Sequence, residues 1–234
     1  ANHGMILGPD GNKMSKSKGN VVDPDAQVKL VGSDTIRMYL AFMGPYENSS
    51  YPWDPGGVAG LRRFLERANG LVEHITDTET KETTALLHNT IKKVGEDIEA
   101  FKFNTAISAL MIFINHAEKA GVTRASHESF LRLLAPFAPH LTEELWQTTG
   151  NSGSIHNTLF PLFDAELAQS DSVTIGVQIN GKHRGEITIT PTATQEEVMK
   201  AVETNAELQN KLLGQEIVKI IYVPGRILNL IATG

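Results

Sequence analysis

The sequence predicts a mainly α protein that ends in a small α+β domain, and three patterns carry that prediction. Residues 54–149 repeat apolar side chains every three to four positions. Residues 173–233 alternate apolar and polar positions around one helical stretch. Residues 1–52 are rich in Gly, Pro, Asn and Ser and read as loops around one short helix. With 234 residues, 41% hydrophobic and 21% charged, the chain has a globular balance and room for one large or two modest domains. It contains no cysteine, which excludes a disulfide scaffold, a thiol nucleophile and thiolate zinc. Its eight histidines show no metal-ligand spacing, so no bound metal is expected. No apolar run approaches the roughly 18 residues of a membrane span. A cytoplasmic chain without a membrane partner is expected, and the absence of an initiator Met favours a fragment of something longer.

The helical region opens at Asp54-Pro55, a capping residue followed by a proline suited to a first turn. Leu61, Phe64, Leu65, Ala68, Val72 and Ile75 form its apolar stripe, with Arg62, Arg63, Glu66 and Arg67 largely opposite. A second helix carries Leu87, Ile91, Val94, Ile98 and Phe101. A third starts near Asn104 or Thr105 with Ile107, Leu110, Met111 and Ile114, and a fourth near Ser126 with Phe130, Leu133, Leu134 and Phe137. Pro136 and Pro139 should break the chain before a last helix with Leu141, Leu145 and Trp146. Short connections make this an antiparallel bundle, assigned to residues 53–163. Residues 164–172 read as a polar linker. Residues 173–234 read as a β-β-α-β-β domain: Val173 to Ile179, an Asn180-Gly181 hairpin turn, a returning strand with Ile187 and Ile189, a helix over 194–213, and two closing strands. The β-branched run Ile217 to Val223 is expected to be a buried strand, with Ile227 to Ile231 closing the sheet.

Net charge is −6, and the acidic excess sits wholly in residues 51–171, with 10 basic and 16 acidic side chains. Both ends are neutral, so either can present a local basic face. The most unusual segment is Lys13-Met14-Ser15-Lys16-Ser17-Lys18-Gly19-Asn20, with three lysines spaced by hydroxyls and followed by Gly. Such a loop can hold a polyphosphate, although composition alone fits a solvated basic loop as well. Its Gly spacing is not that of a P-loop.

Lys13 to Ser17 matches the KMSKS motif of class I aminoacyl-tRNA synthetases letter for letter, and the resemblance runs on through Lys18-Gly19-Asn20-Val21-Val22-Asp23-Pro24 and Gly32 to Leu40. Leu134 to Trp146 is similar to the bundle segment of the same group. Phe42-Met43-Gly44-Pro45 with Pro52-Trp53, Val177 to Lys182 with Arg184, and Ile221 to Leu230 resemble the C-terminal part of bacterial-type leucyl enzymes. A valyl, isoleucyl or methionyl enzyme is the weaker alternative. The family also has an upstream catalytic half with a HIGH motif and an editing domain, neither of which is in this sequence. The chain is therefore expected to be inactive alone. It is either an excised fragment or the small subunit of a split enzyme, with a stand-alone tRNA-binding module as the rival reading.

The resemblance implies ATP-dependent attachment of leucine to its tRNA. ATP arrives with Mg2+ as a substrate complex, and ATP and leucine meet through the missing N-terminal half. Residues 1–52 are the end of the catalytic domain, and the bundle and last domain bind tRNA(Leu). Lys16, then Lys13, would stabilise charge on the departing phosphates; Ser15 and Ser17 would offer hydroxyl or N–H contacts, Met14 would pack near the adenine, and Gly19 would permit a turn. Lys18 is either a participant or merely solvated. Asp34 and Arg37, three apart on one helix, are expected to pair. Arg37, Arg62, Arg63 and Arg67 are candidate tRNA contacts, the last three being equally readable as a polar helix face. Lys182, Arg184 and Arg226 at the turns of the last domain are candidates for the tRNA surface. Trp53 and Trp146 are expected in the core or at a hinge, and His3, His140 and His183 as structural or surface residues. The loop over residues 10–20, with few apolar anchors, is expected to be poorly ordered without ATP.

Overall fold

A computed structural model describes residues 4–44, 50–169 and 173–233. The chain divides into two compact units, Ala1–Ala168 and Gln169–Gly234.

In the first unit, β1 (Ile6–Leu7) pairs in parallel with β2 (Tyr51–Pro52). The segment between them holds two helices where the composition suggests one. Asp23 caps α1 (Pro24–Val31), and α2 (Ser33–Phe42) follows at once. Gly32, at φ 87°, separates them; a side chain there would be strained. Asp54 caps α3 (Pro55–Gly70) by accepting from the amides of Gly56 and Gly57 at 2.8 and 3.0 Å. Val58, Leu61, Phe64, Leu65 and Ala68 are its buried stripe. Val72, expected in that stripe, lies past the helix end in a 3-10 turn and is exposed, and Leu71 takes the buried place.

Thr80 caps α4 (Lys81–Glu99), which turns through Ala100–Lys102 into α5 (Phe103–Ala120). Thr123 caps α6 (Arg124–Leu134). The chain breaks at Pro136 as expected and resumes as α7 (Pro139–Thr148), with Pro139 in its first turn. One core joins the bundle to the N-terminal segment. Phe113 stacks on Phe130 with ring centroids 5.5 Å apart, while Tyr39 of α2 meets Trp53 edge-on at 4.7 Å. Trp53 and Trp146 are both buried, as expected. Of the expected linker, the Asp164 amide donates to His88 Nδ1, and Asn89 Nδ2 donates to the Ala168 carbonyl. Residues 170–172 of that stretch, with His3 and Pro45, lie outside the described residues.

The second unit is a four-stranded mixed sheet of β3 (Val173–Ile179), β4 (Lys182–Ile189), β5 (Glu216–Val223) and β6 (Ile227–Thr233), in the order β4-β3-β6-β5. Asn180 and Gly181, at φ 52° and 76°, make the expected β3–β4 turn. The helical stretch is two helices, α8 (Gln195–Thr204) and α9 (Ala206–Leu212), because Asn205 ends the first and caps the second. Their Val198, Val202, Leu208 and Leu212 form one core with Ile175, Val177, Ile187, Leu228 and Leu230.

Two strand expectations are corrected. The run Ile217 to Val223 is an edge strand, not a buried one: helices cover one face of the sheet, so Val218, Ile221 and Val223 stay exposed while Ile217, Ile220 and Tyr222 pack inward. Ile227 to Ile231 does not close the sheet. It is an interior strand, parallel to β3 from Gly176 opposite Ile227 to Ile179 opposite Leu230.

Candidate functional site

The lysine loop is built on a tight reversal just after β1. Leu7 bridges back to Lys13, the Gly8 amide donates to the Asn12 carbonyl at 2.7 Å, and Gly11 takes φ 74°. A Cβ at Gly8 would stand 2.8 Å from both the Asn20 carbonyl and Asp10 Oδ1, so only glycine lets the two ends of the loop approach this closely. Met14 packs down onto the bundle core. Ser15 then caps a 3-10 turn over Lys16–Lys18, and Gly19 ends it at φ 66°.

Side chains brace this loop. Asn20 Nδ2 donates to Asp10 and to the Lys13 carbonyl, while its Oδ1 accepts from the Ser15 amide at 2.8 Å. The Ser15 and Ser17 hydroxyls are 2.8 Å apart. The Asp10 carboxyl is held below its ordinary range, first by the Asn20 hydrogen bond and then by Asn12. Hydrogen bonds thus link the two ends of the loop, where few apolar side chains do. Lys13, Lys16 and Lys18 are exposed, and among the described residues none forms an ion pair with a carboxylate. Three ammonium groups therefore project from a fixed backbone with their charge uncommitted, an arrangement suited to a polyanion.

The other candidates divide sharply. Asp34 and Arg37 do not pair. Asp34 reaches α7 instead, accepting from His140 Nδ1 at 2.7 Å and from the Leu141 amide at 2.8 Å, and Arg37 donates to the Pro136 carbonyl at 3.4 Å. Arg62 is held by Glu66 at 2.8 Å and by the Leu30 carbonyl at 2.9 Å. Arg67 cross-links α3 to α5: its Nε donates to Glu118 at 2.9 Å and its Nη2 to Asn115 at 2.8 Å. That guanidinium holds the Glu118 carboxyl below the usual range. Arg63 is exposed and, among the described residues, makes no ion pair. Arg62 is exposed as well, so what sets Arg63 apart is that among the described residues its charge is not paired with a carboxylate. A groove of about 580 Å³ runs beside them, lined by Ser33, Asp34, Arg62, Glu66, Asn69 and His140, and none of the lysine-loop residues lines it.

In the second unit Lys182 and Arg184 follow the β3–β4 turn, and both are exposed. Arg226 is exposed too, but it sits in the β5–β6 turn. Because β3 and β6 run parallel, a turn that follows β3 and one that precedes β6 lie at opposite ends of the sheet. The structure therefore groups Lys182 with Arg184 and separates Arg226 from them. Sequence reasoning missed the braces: Asp10, Asn20 and the long-range pairs of Asp34 leave no local pattern.

Residues 81–200 match the family model described as the anticodon-binding domain of tRNA ligase, and residues 1–50 match that of the class I tRNA synthetases for I, L, M and V. Along almost its whole length the chain is 44% identical to leucine–tRNA ligase of Deinococcus radiodurans, covering 99% of this chain and 30% of the relative, and 45% identical to that of Chlorobaculum tepidum, covering 97% and 29%. The chain belongs to the family of the anticodon-binding domain of tRNA ligases, and along almost its whole length it resembles leucine–tRNA ligases. It spans about 30% of the length of the curated relatives it matches. Among solved structures, the ternary LeuRS–tRNA–LeuAMS complex of Agrobacterium radiobacter K84 agnB2 covers all of this chain at 34% identity with a TM-score of 0.67, and the chain covers 32% of that protein. The bundle is thus that of the anticodon-binding family, and residues 1–50 match the class I synthetase segment. Among the described residues no three His, Asp or Glu side chains gather as metal ligands, and no helix is long and apolar enough to cross a membrane.

Proposed function

We propose that this chain supplies the pyrophosphate-stabilising loop and the tRNA-binding domains for ATP-dependent attachment of leucine to tRNA(Leu), in the cytoplasm. The observation that carries the proposal is the lysine loop: a family motif whose backbone is braced and whose ammonium groups are uncommitted. Leucine's carboxylate attacks the α-phosphate of ATP, the bond to the bridging oxygen breaks, and pyrophosphate leaves with its magnesium. Negative charge grows on the departing β- and γ-phosphates. Lys16 and Lys13 would meet that charge, Ser15 and Ser17 would add hydroxyl or amide contacts, and Met14 would pack near the adenine. In the second step the leucyl group passes to the terminal ribose of the tRNA, which the bundle and the last domain would hold. Arg37, Arg62 and Arg67, with their intramolecular partners, would act as shapers of that surface, and Arg63, Lys182, Arg184 and Arg226 would meet RNA directly. The functional division follows: 1–52 the end of the catalytic domain, 53–163 the anticodon-binding bundle, 164–172 a linker and 173–234 a second tRNA-binding domain.

Lys16→Ala in the full-length enzyme tests the reading. Losing one preorganised stabiliser of developing charge costs on the order of 10²–10³ in rate, and the loss should fall on adenylate formation and not on leucine affinity. Pre-steady-state measurements separate the two. Weakened leucine binding with an unchanged chemical step would overturn the assignment.

A further inference from the structure

The signature lysines hang on a backbone that one side chain ties together. Asn20 Nδ2 reaches Asp10 Oδ1 at 3.0 Å and Oδ2 at 3.2 Å, and the Lys13 carbonyl at 3.3 Å; Asn20 Oδ1 takes the Ser15 amide at 2.8 Å. Only a primary amide can donate to two acceptors and accept from a third group at one place. Its orientation is fixed by these neighbours: turned over, it would set an NH2 against the Ser15 N–H and an oxygen against the Asp10 carboxylate. The contact with the Lys13 carbonyl holds the backbone that carries the first lysine. The Ser15 contact holds the residue whose hydroxyl accepts from the Lys18 amide at 3.3 Å and caps the turn that carries Lys16. Asp10 anchors the amide and is itself set by Asn12, whose own amide donates to Asp10 Oδ1 at 3.1 Å. Gly19 turns the chain so that Asn20 can reach back under the loop.

From this geometry we infer that Asn20, anchored by Asp10, is a positioning residue for the adenylation step: it fixes the loop backbone so that Lys13 and Lys16 are presented together to the leaving phosphates. The inference rests on the reading of the loop proposed above. Asn20 touches no reacting atom; it acts through the two lysines. A stabiliser that must be aligned afresh in each turnover loses much of its benefit, so freeing the loop should slow chemistry while leaving substrate affinity and the fold alone.

The test uses the full-length enzyme and four variants. Asn20→Ala removes every contact. Asn20→Asp sets two carboxylates against each other. The exchange Asp10→Asn with Asn20→Asp restores a donor facing an acceptor and keeps the Ser15 contact, giving up the bond to the Lys13 carbonyl and one of the two Asn12 bonds to residue 10. Lys16→Ala runs alongside. Single-turnover adenylate formation should fall about 10- to 100-fold in Asn20→Ala and Asn20→Asp, and the exchange should recover most of that loss. Leucine affinity, thermal unfolding and transfer of leucine from preformed adenylate to tRNA should stay within about twofold of wild type, which a loss of general structure would not allow. Wild-type rates in both single variants would overturn the inference. So would an exchange variant as slow as Asn20→Asp, or a parallel fall in adenylation, transfer and unfolding temperature. A slow Lys16→Ala beside a fast Asn20→Ala removes the positioning role alone; a fast Lys16→Ala removes the reading of the loop with it.

Discussion

Glu79 shows how much one carboxylate can do at a helix end. It precedes α4, yet its oxygens accept from the Thr123 amide at 2.8 Å, the Ser126 hydroxyl at 2.7 Å and the Thr84 hydroxyl at 2.8 Å. It thus adds a negative charge to the N-terminus of α6, beside the cap that Thr123 provides. Burial alone would raise its pKa, but the hydrogen bonds from Thr123, Ser126 and Thr84 outweigh burial and hold it below the ordinary carboxylate range. A depressed carboxyl stabilises the fold fully above its unfolded pKa, and the benefit is lost as pH falls through the lower folded value. Glu79→Gln should therefore destabilise the protein by about 1–3 kcal/mol at neutral pH, and the gap to wild type should narrow as pH falls from about 5 towards 3. Denaturant titrations across that range check it, and a gap that stays constant would show that shape and not charge matters there. His127 pushes the same way: burial lowers its pKa and, among the described residues, neither ring nitrogen has a partner, so acid also weakens α6 by forcing a proton onto it. At this scale contiguous chemistry was legible. The Lys13 to Ser17 motif could be read directly because it lies in one stretch. Glu79 with Thr123, or Asp10 with Asn20, could not, because the fold and not the spacing brings them together.

At the scale of the element, the junction between α2 and α7 rests on Asp34. Helix α7 begins after Ala138, which offers no side-chain cap, and the Leu141 amide would go unsatisfied without a carboxylate from another helix. Asp34 is buried and supplies it, while its other oxygen meets His140. Asp34→Ala should cost about 1–3 kcal/mol and loosen the first turn of α7 locally. Hydrogen exchange gives the readout: Leu141 and its neighbours should exchange faster, while amides of α8 and α9 keep their wild-type rates. Uniform loss of protection across the first unit would sink the capping role. The helices themselves were legible. Asp54-Pro55 marked the start of α3 to the residue, although the spacing ran past its end to Val72 and Ile75, and Pro136 and Pro139 marked the gap before α7. Three features were not. Gly32 divides what reads as a single helix through a positive φ that no periodicity shows. Asn205 divides another by capping α9 from within a helical run. The β5 strand shows the third: β-branched residues favour strand wherever they stand, and whether both faces are covered depends on the layer above, which the run itself does not encode.

Over the whole chain, two units bury separate cores, and the cations proposed for RNA are distributed between them. Arg62 and Arg67 are spent on Glu66 and Glu118, so their removal should lower stability more than RNA affinity. Lys182, Arg184 and Arg226 are different: exposed, the first two at the start of β4 and the third in a turn, in a unit whose residues 172–234 hold six basic and six acidic side chains. With no net charge to attract RNA in general, that unit must act through a few local contacts. Asn180 donates to the Ala232 carbonyl at 2.9 Å and accepts from the Ala232 amide at 3.0 Å, which ties the β3–β4 turn to the interior strand β6. Replacing all three cations by Ala in the full-length enzyme should weaken tRNA binding and lower its salt dependence by at most about three phosphate contacts, at roughly 0.7–0.9 per contact in log K against log salt. Because the two turns lie at opposite ends of the sheet, Lys182→Ala with Arg184→Ala and Arg226→Ala alone should each take a share, and the shares should add. Adenylate formation should be unchanged, since the proposed role of these residues is in the tRNA contact alone. If adenylate formation and tRNA charging fell together, the unit would be supporting the catalytic fold and not the RNA, and its assignment as a tRNA-binding domain would fail.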